Sequence, residues 1–253
     1  MRRVFRDNNL SQSVKDWLSD WATELSQKAG TPGFTLKQFW KDKRKTAKIE
    51  SVHKLLLDRA KPRNGCMYCL VGEGTDLDHF YPKDDYPAKT FEYENYVLSC
   101  TACGRYKGTK FPLDASGKPL LINPLEENPW EHLEFDPTTG CLTTRYLMAS
   151  SAYSIKGSKT NKWLQTENRQ WLTDRYLLSY NDLKDEIEAF LSNPMATSQV
   201  LFGELEKADK QDILEWLLLH NGQQEPFCQQ MQSQHALVWS ELQVLYTDTF
   251  LRP

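Results

Sequence analysis

Two Cys-x-x-Cys pairs, Cys66/Cys69 and Cys100/Cys103, constrain the folding of this chain more than any other feature. A pair at that spacing sits on a tight knuckle that aims two thiolates at one point. Two knuckles complete the tetrahedral all-sulfur shell of a closed structural zinc site, which leaves no position for a substrate. The opening Met1-Arg2-Arg3-Val4-Phe5-Arg6-Asp7 has no apolar leader segment, so the cysteines read as metal ligands of a cytoplasmic protein rather than as disulfides. Cys141 and Cys228 stand alone and read as incidental or buried thiols. No apolar run approaches the roughly 18 residues of a membrane span, so no membrane partner is expected.

Thirty residues separate Cys69 from Cys100, more than a simple zinc ribbon needs, so a segment is inserted between the knuckles. It contains Asp76-Leu77-Asp78-His79-Phe80-Tyr81-Pro82-Lys83. Neighbours on a strand point to opposite faces, so of Asp78 and His79 one can hold a metal while the other faces a substrate. Asn95 lies just before the second knuckle, in Tyr93-Glu94-Asn95-Tyr96-Val97-Leu98. After Cys103 come Arg105, Lys107 and Lys110, at the expected start of a short helix where cations and backbone N–H groups suit a phosphate. Lys83 is a further candidate contact.

Around this centre the pattern is helical. Val14, Trp17, Leu18, Trp21 and Leu25 recur at steps of three and four, predicting a helix with one buried stripe, capped by Ser11 or Ser13 and ended by Gly30-Thr31-Pro32-Gly33. A second helix is predicted from a Thr35 cap to about Ala60. Residues 118–147 read as extended, with a hairpin around Asp136-Pro137-Thr138-Thr139-Gly140, and helices return from about Lys159 with breaks near Asn193-Pro194 and Asn221 to Pro226. The expected segments are a basic helical arm (1–63), a metal core (64–113), a short β section (114–150) and a helical region (151–253). The stripe of Trp163, Leu164, Trp171, Leu172 and Tyr176 reads as core or partner interface, and His132 as structural packing.

The net charge of −3 conceals a gradient: residues 1–60 carry +6, 61–113 are neutral and 114–253 carry −9. A basic front and an acidic rear predict one face for an anion and another for a different partner. Lys43, Arg44 and Lys45, within the run Lys41 to Lys48, are the candidates for following a nucleic-acid backbone.

Asp78-His79, Asn95 and a Cys-x-x-Cys-x-x-x-Lys run, framed by an earlier Cys-x-x-Cys, resemble the zinc-stabilised HNH endonucleases. The wording DHFYPK (78–83), YENYVLSC (93–100), KGTKFPL (107–113) and LLINPLEENPWEHLEFD (120–136) resembles the HNH subunit of Septu-type and retron-associated anti-phage systems. The resemblance is densest over 64–137, fainter at Leu164 to Arg169, Arg175 and Pro226-Phe227, and covers about half the chain. It implies an α+β fold with a ββα-metal core and a four-cysteine zinc knuckle between helical regions. The implied activity is metal-dependent hydrolysis of a nucleic-acid phosphodiester, with DNA ahead of RNA, and an ATPase partner bound through the acidic half. His79 is then the general base, Asp78 the ligand of a catalytic Mg²⁺ or other divalent ion, and Asn95 the residue that orients His79 through its amide. In the family, Asn or His follows the last cysteine as a second metal ligand; here that position is Gly104. Either Asp78 holds the ion with substrate oxygens and water, or Asp76, Asp84 or Asp85 substitutes, or catalysis is impaired and the chain is a zinc-stabilised nucleic-acid-binding or adaptor subunit.

Overall fold

The computed structural model describes residues 1, 3–4, 10–60, 65–71 and 76–251, and the boundary placed at 63/64 lies outside them. The fold is mixed α+β, mostly helical, with small two-stranded sheets. Helix α1 (Gln12–Lys28) buries all five residues of the predicted stripe, and Ser11 caps it by accepting from the Val14 amide.

The long second helix is instead two: α2 (Leu36–Lys43), capped by Thr35, and α3 (Ala47–Arg59). The reason is phase. At about 100° per residue, Ile49 lies roughly 180° around a continuous helix from Trp40, so the two could not share a core. The break at Arg44 to Thr46 turns both inward, and the Thr46 hydroxyl supports it by donating to the Lys43 carbonyl at 2.7 Å.

Strand β1 (Asp76–His79) pairs antiparallel with β2 (Tyr96–Ser99), placing Asp76 opposite Ser99 and His79 opposite Tyr96. Helix α4 (Thr101–Lys107) follows directly, giving the order strand, strand, helix. Such a short hairpin is marginal alone. An aromatic cluster supports it: Phe91, in the loop between the strands, lies 5.6 Å from Trp21, 5.8 Å from Phe39 and 5.9 Å from Trp40, centroid to centroid. The basic arm thus packs directly on the inserted segment.

The predicted hairpin is present as β3 (Leu133–Phe135) and β4 (Leu142–Thr144), joined through Asp136 to Cys141, with Gly140 at φ +74° and its α-hydrogen side pressed against the Thr173 carbonyl. The rest of 118–147 is largely irregular rather than extended, because its prolines and Asx-type turns at Asn123 and Asn128 take up backbone groups that a ladder would need. Strands β5 (Tyr146–Leu147) and β6 (Ala152–Tyr153) form a small exposed hairpin.

Helices resume at α5 (Ile155–Leu164), four residues earlier than expected, because Ser154 caps it. Then come α6 (Gln170–Ser192), α7 (Ser198–Ala208), α8 (Ile213–Leu219), α9 (Pro226–Gln234) and α10 (Ala236–Tyr246), with both predicted breaks present. Of the aromatic stripe, Leu164, Leu172 and Tyr176 are buried, Trp163 is half-buried and Trp171 is exposed. The acidic rear is less acidic at its surface than its sequence implies, since Asp209, Asp212 and Glu215 are buried. Asp209 accepts from Ser179 and from the Ile213 amide, and Glu215 from Asn128. His132 bonds Ser154 and lies 3.3 Å from Glu127, which is the packing role expected of it. No described helix is long and apolar enough to cross a membrane. Removing the Phe91 ring (Phe91→Ala) is expected to cost about 3–5 kcal/mol in urea unfolding, because the rings of Trp21, Phe39 and Trp40 lose their common partner.

Candidate metal and nucleic-acid site

The four thiols converge. The Sγ atoms of Cys66, Cys69, Cys100 and Cys103 all lie within 4.8 Å of one another, and Cys69 and Cys100 are 3.7 Å apart. Sulfurs at the corners of a tetrahedron with 2.3 Å zinc bonds are about 3.8 Å apart, so the cluster can hold a zinc ion. Local structure sets each knuckle. Leu70 at φ +58° returns its amide to the Cys66 carbonyl, and Cys100 caps α4 by accepting from the Cys103 amide at 3.4 Å. Burial pushes the Cys66 thiol up.

A residue with no assigned role in the sequence completes this centre. Arg169, just before α6 and 3% exposed, donates from Nη1 to Cys103 Sγ at 3.2 Å and to the Leu164 carbonyl. Its Nε and Nη2 are buried without a hydrogen-bond partner. A guanidinium so enclosed needs a nearby anion, and the thiolates of a loaded cluster supply one. Only the faint family wording at Leu164 to Arg169 pointed to it.

Beside the cluster lies a cleft of about 560 Å³ bordered by α2, β1 and the first turn of α4. Lys37, Lys41, Arg44, Lys83 and Arg105 line it, against two carboxylates, Asp76 and Asp78. Asp78 and His79 alternate along β1 yet both border this cleft, because His79 is the strand's last residue. His79 is buried, with its ring 4.5 Å from that of Trp40 and its Nε2 2.9 Å from the Thr90 carbonyl. A carbonyl only accepts, so Nε2 carries the hydrogen and Nδ1 keeps the basic lone pair. Burial lowers the imidazole pKa to about 4, outweighing the Thr90 bond and the Asp78 charge that raise it.

Asn95 acts one step removed from the role expected of it. Its Oδ1 accepts from the Tyr81 amide, and its Nδ2 donates to the Tyr81 and Lys89 carbonyls. The amide therefore ties down the loop whose Thr90 carbonyl, not the Asn95 side chain, holds His79.

The candidate phosphate contacts divide. Arg44 lines the cleft while pairing with Asp76 at 3.7 Å, Lys83 lines it while pairing with Asp84 at 3.4 Å, and Arg105 lines it with no carboxylate partner among the described residues. Lys45 is exposed at the helix break and away from the cleft lining. Lys43 sits 2.5 Å from Glu24 with its ammonium over the Trp21 and Phe39 rings, so it is already engaged. Lys110 lies over Trp163 at a second cavity of about 510 Å³. Lys107 corrects the sequence reading most clearly. It is 1% exposed, donating to the His79 carbonyl at 2.7 Å and lying 3.1 Å from Asp78 Oδ2 in an ionic contact that is not aligned as a hydrogen bond. Buried among groups that occupy its ammonium, it is no surface contact. Asp84 and Asp85 are exposed and away from the cleft lining, whereas Asp76 lines it. At Gly104 an added Cβ would meet only the Ser99 Oγ, at 3.5 Å.

Two outcomes follow. Arg169→Met is expected to speed zinc loss to a chelator by about tenfold or more, followed with a chromophoric zinc indicator, with all four sulfurs still present. Because the folded His79 pKa lies below the unfolded value, the unfolded chain binds the extra proton first as pH falls. Stability is therefore expected to be lost from about pH 6.5 down towards the folded value of about 4, with a shallower loss in His79→Gln, measured by urea unfolding across that range.

No protein-family model matches the chain. It is similar to the Septu protein PtuB of Bacillus mycoides (strain KBAB4), 29% identical over 205 residues that cover 61% of this chain and 68% of that protein. It is also similar to the Septu protein PtuB of Bacillus thuringiensis, 33% identical over 76 residues, although that match spans only 28% of either chain. The chain is thus a distant relative of Septu PtuB proteins.

Proposed function

We propose that this chain is a metal-dependent endonuclease of the HNH type that hydrolyses nucleic-acid phosphodiesters, DNA ahead of RNA, within a Septu-like anti-phage system. One observation carries the reading. A buried histidine with Nε2 committed to a carbonyl, and Nδ1 left as base, borders a basic cleft beside a carboxylate. Similarity to Septu PtuB supports the biological setting, and the partner proposed in that setting is an ATPase subunit.

In this reading the four cysteines hold a structural zinc that fixes the hairpin and α4. Lys37, Lys41 and Arg105 draw a phosphodiester into the cleft, and Arg44 exchanges Asp76 for phosphate. His79 Nδ1 removes the proton of a water as its oxygen attacks phosphorus and the bond to the leaving oxygen breaks. With a pKa near 4, the imidazole is unprotonated at neutral pH and available without prior deprotonation. Asp78, with its less buried oxygen, is the group that would hold Mg²⁺ or another divalent ion. When bound, such an ion neutralises charge on phosphorus and the leaving oxygen. Mg²⁺ is commonly held by one or two carboxylates plus substrate phosphates and water, so Asp78 in a cleft where Gly104 offers no side-chain ligand suits an ion that the substrate helps to bind.

A second reading, a zinc-stabilised nucleic-acid-binding or adaptor subunit without catalysis, draws on two observations: Gly104 supplies no ligand, and Asp78 already faces an ammonium. Cleavage of plasmid, single-stranded DNA and RNA separates the two, assayed with Mg²⁺ or Mn²⁺ and with the ATPase subunit present. Divalent-dependent cleavage that falls by about 10²–10⁴ in His79→Ala supports the enzyme; equal rates in both proteins, or none in either, leave the binding subunit. Gly104→Asn, which the space beside Ser99 accommodates, is expected to lower the Mg²⁺ concentration for half-maximal cleavage by about fivefold or more, since a second ligand joins Asp78.

A further inference from the structure

We infer that Lys107 is a positioning residue that keeps Asp78 neutralised until a phosphodiester enters the cleft, making divalent-ion binding conditional on bound nucleic acid. The inference rests on the nuclease reading for the identity of the anion and on geometry for the rest. Lys107 lies one turn beyond Cys103, on the buried side of α4. Its ammonium reaches two adjacent residues of β1, the carbonyl of His79 at 2.7 Å and Asp78 Oδ2 at 3.1 Å. One cation thus fixes the strand at His79 and the carboxylate of Asp78 together.

A lysine this deeply buried is costly unless paired, and among the described residues Asp78 is the carboxylate within ion-pair distance. The pair carries no net charge. Oδ2 faces the ammonium in the interior, while the Asp78 side chain is 29% exposed, leaving Oδ1 as the oxygen towards the cleft. A dication approaching Oδ1 is attracted by the carboxylate and repelled by the ammonium behind it, and Lys37, Lys41 and Arg105 add to the repulsion. A phosphodiester reverses this balance. It engages the cleft cations, adds a negative charge beside Oδ1 and provides oxygens that complete the shell.

The test uses the full chain and Mn²⁺ titrations followed by electron paramagnetic resonance, without nucleic acid. Wild type and Lys107→Arg are expected to show no tight site. Lys107→Met is expected to gain one, at least about tenfold tighter than any wild-type binding, which Asp78→Asn in the same chain removes. A structural role alone for Lys107 would lower stability and leave ion affinity unchanged. As a second measurement independent of whether Lys107→Met folds, a fluorescein-labelled single-stranded oligodeoxynucleotide is titrated into His79→Ala with and without Ca²⁺. Linkage requires that an ion held only in the complex tighten the oligonucleotide reciprocally. About fivefold tightening, lost in Asp78→Asn, supports the inference. Tight Mn²⁺ binding by wild type alone, a Lys107→Met site indifferent to Asp78, or oligonucleotide affinity indifferent to Ca²⁺ overturns it. Neither measurement requires cleavage, so an inactive wild type with these binding results removes the nuclease reading and leaves the ion-gating role of Lys107 standing.

Discussion

The convergence of four sulfurs is the constraint on which the rest of the structure depends. Strands β1 and β2 are four residues each, too short to hold a register by hydrogen bonds alone. Their geometry comes from the ends. At one end the two knuckles meet, joining the segment before the insertion to the junction of β2 and α4, and the Met67 amide adds a bond to the Leu98 carbonyl. At the other end the loop returns to Asn95. The hairpin is thus suspended between a sulfur cluster and an amide latch. Arg169 extends the same cluster into the C-terminal helices, so the sulfur site ties together parts of the chain that share no strand or helix.

Aromatic packing then sets the chemical character of the site. Trp40 stands against His79 at 4.5 Å and stacks with Tyr96 at 6.0 Å, while Phe91 closes the cluster from the loop. These rings exclude water from the imidazole and so weaken it as a base. In exchange the imidazole stays neutral and fixed in one tautomer. The cations stay outside, at the cleft wall, where they are solvated and cost little. The basic arm therefore has two jobs: its apolar side shelters the histidine, and its polar side supplies charge to the cleft. Lys43 and Lys48 follow neither course, lying over the Trp17 and Trp21 rings instead.

What was legible in the sequence was what local spacing encodes. The α1 stripe, the Ser11 and Thr35 caps, the cysteine pairs and the turn at Gly140 all depend on residues close together in the chain. The break in the second helix was also encoded, as an angular mismatch between Trp40 and Ile49, but it shows only when apolar positions are projected around the axis rather than counted. Lys107 and Arg169 were not legible, for a different reason. Their partners lie 28 and 66 residues away, and a lysine or arginine in sequence is indistinguishable from a solvated one until the fold surrounds it. The same holds for Glu215, an acidic residue within an apolar helix whose partners Asn128 and Tyr246 come from other segments.

The Thr90 carbonyl carries a consequence for the movement of protons at His79. It accepts from both His79 Nε2 and the Tyr96 hydroxyl, so it has no lone pair to spare and offers no onward route. If His79 is the base of the proposed nuclease, its imidazole is a cul-de-sac for protons: whatever Nδ1 picks up must return through the cleft that His79 borders. In that proposed reaction, resetting the ring between cycles is a task for the bathing solution rather than the protein, and it competes for space with departing product.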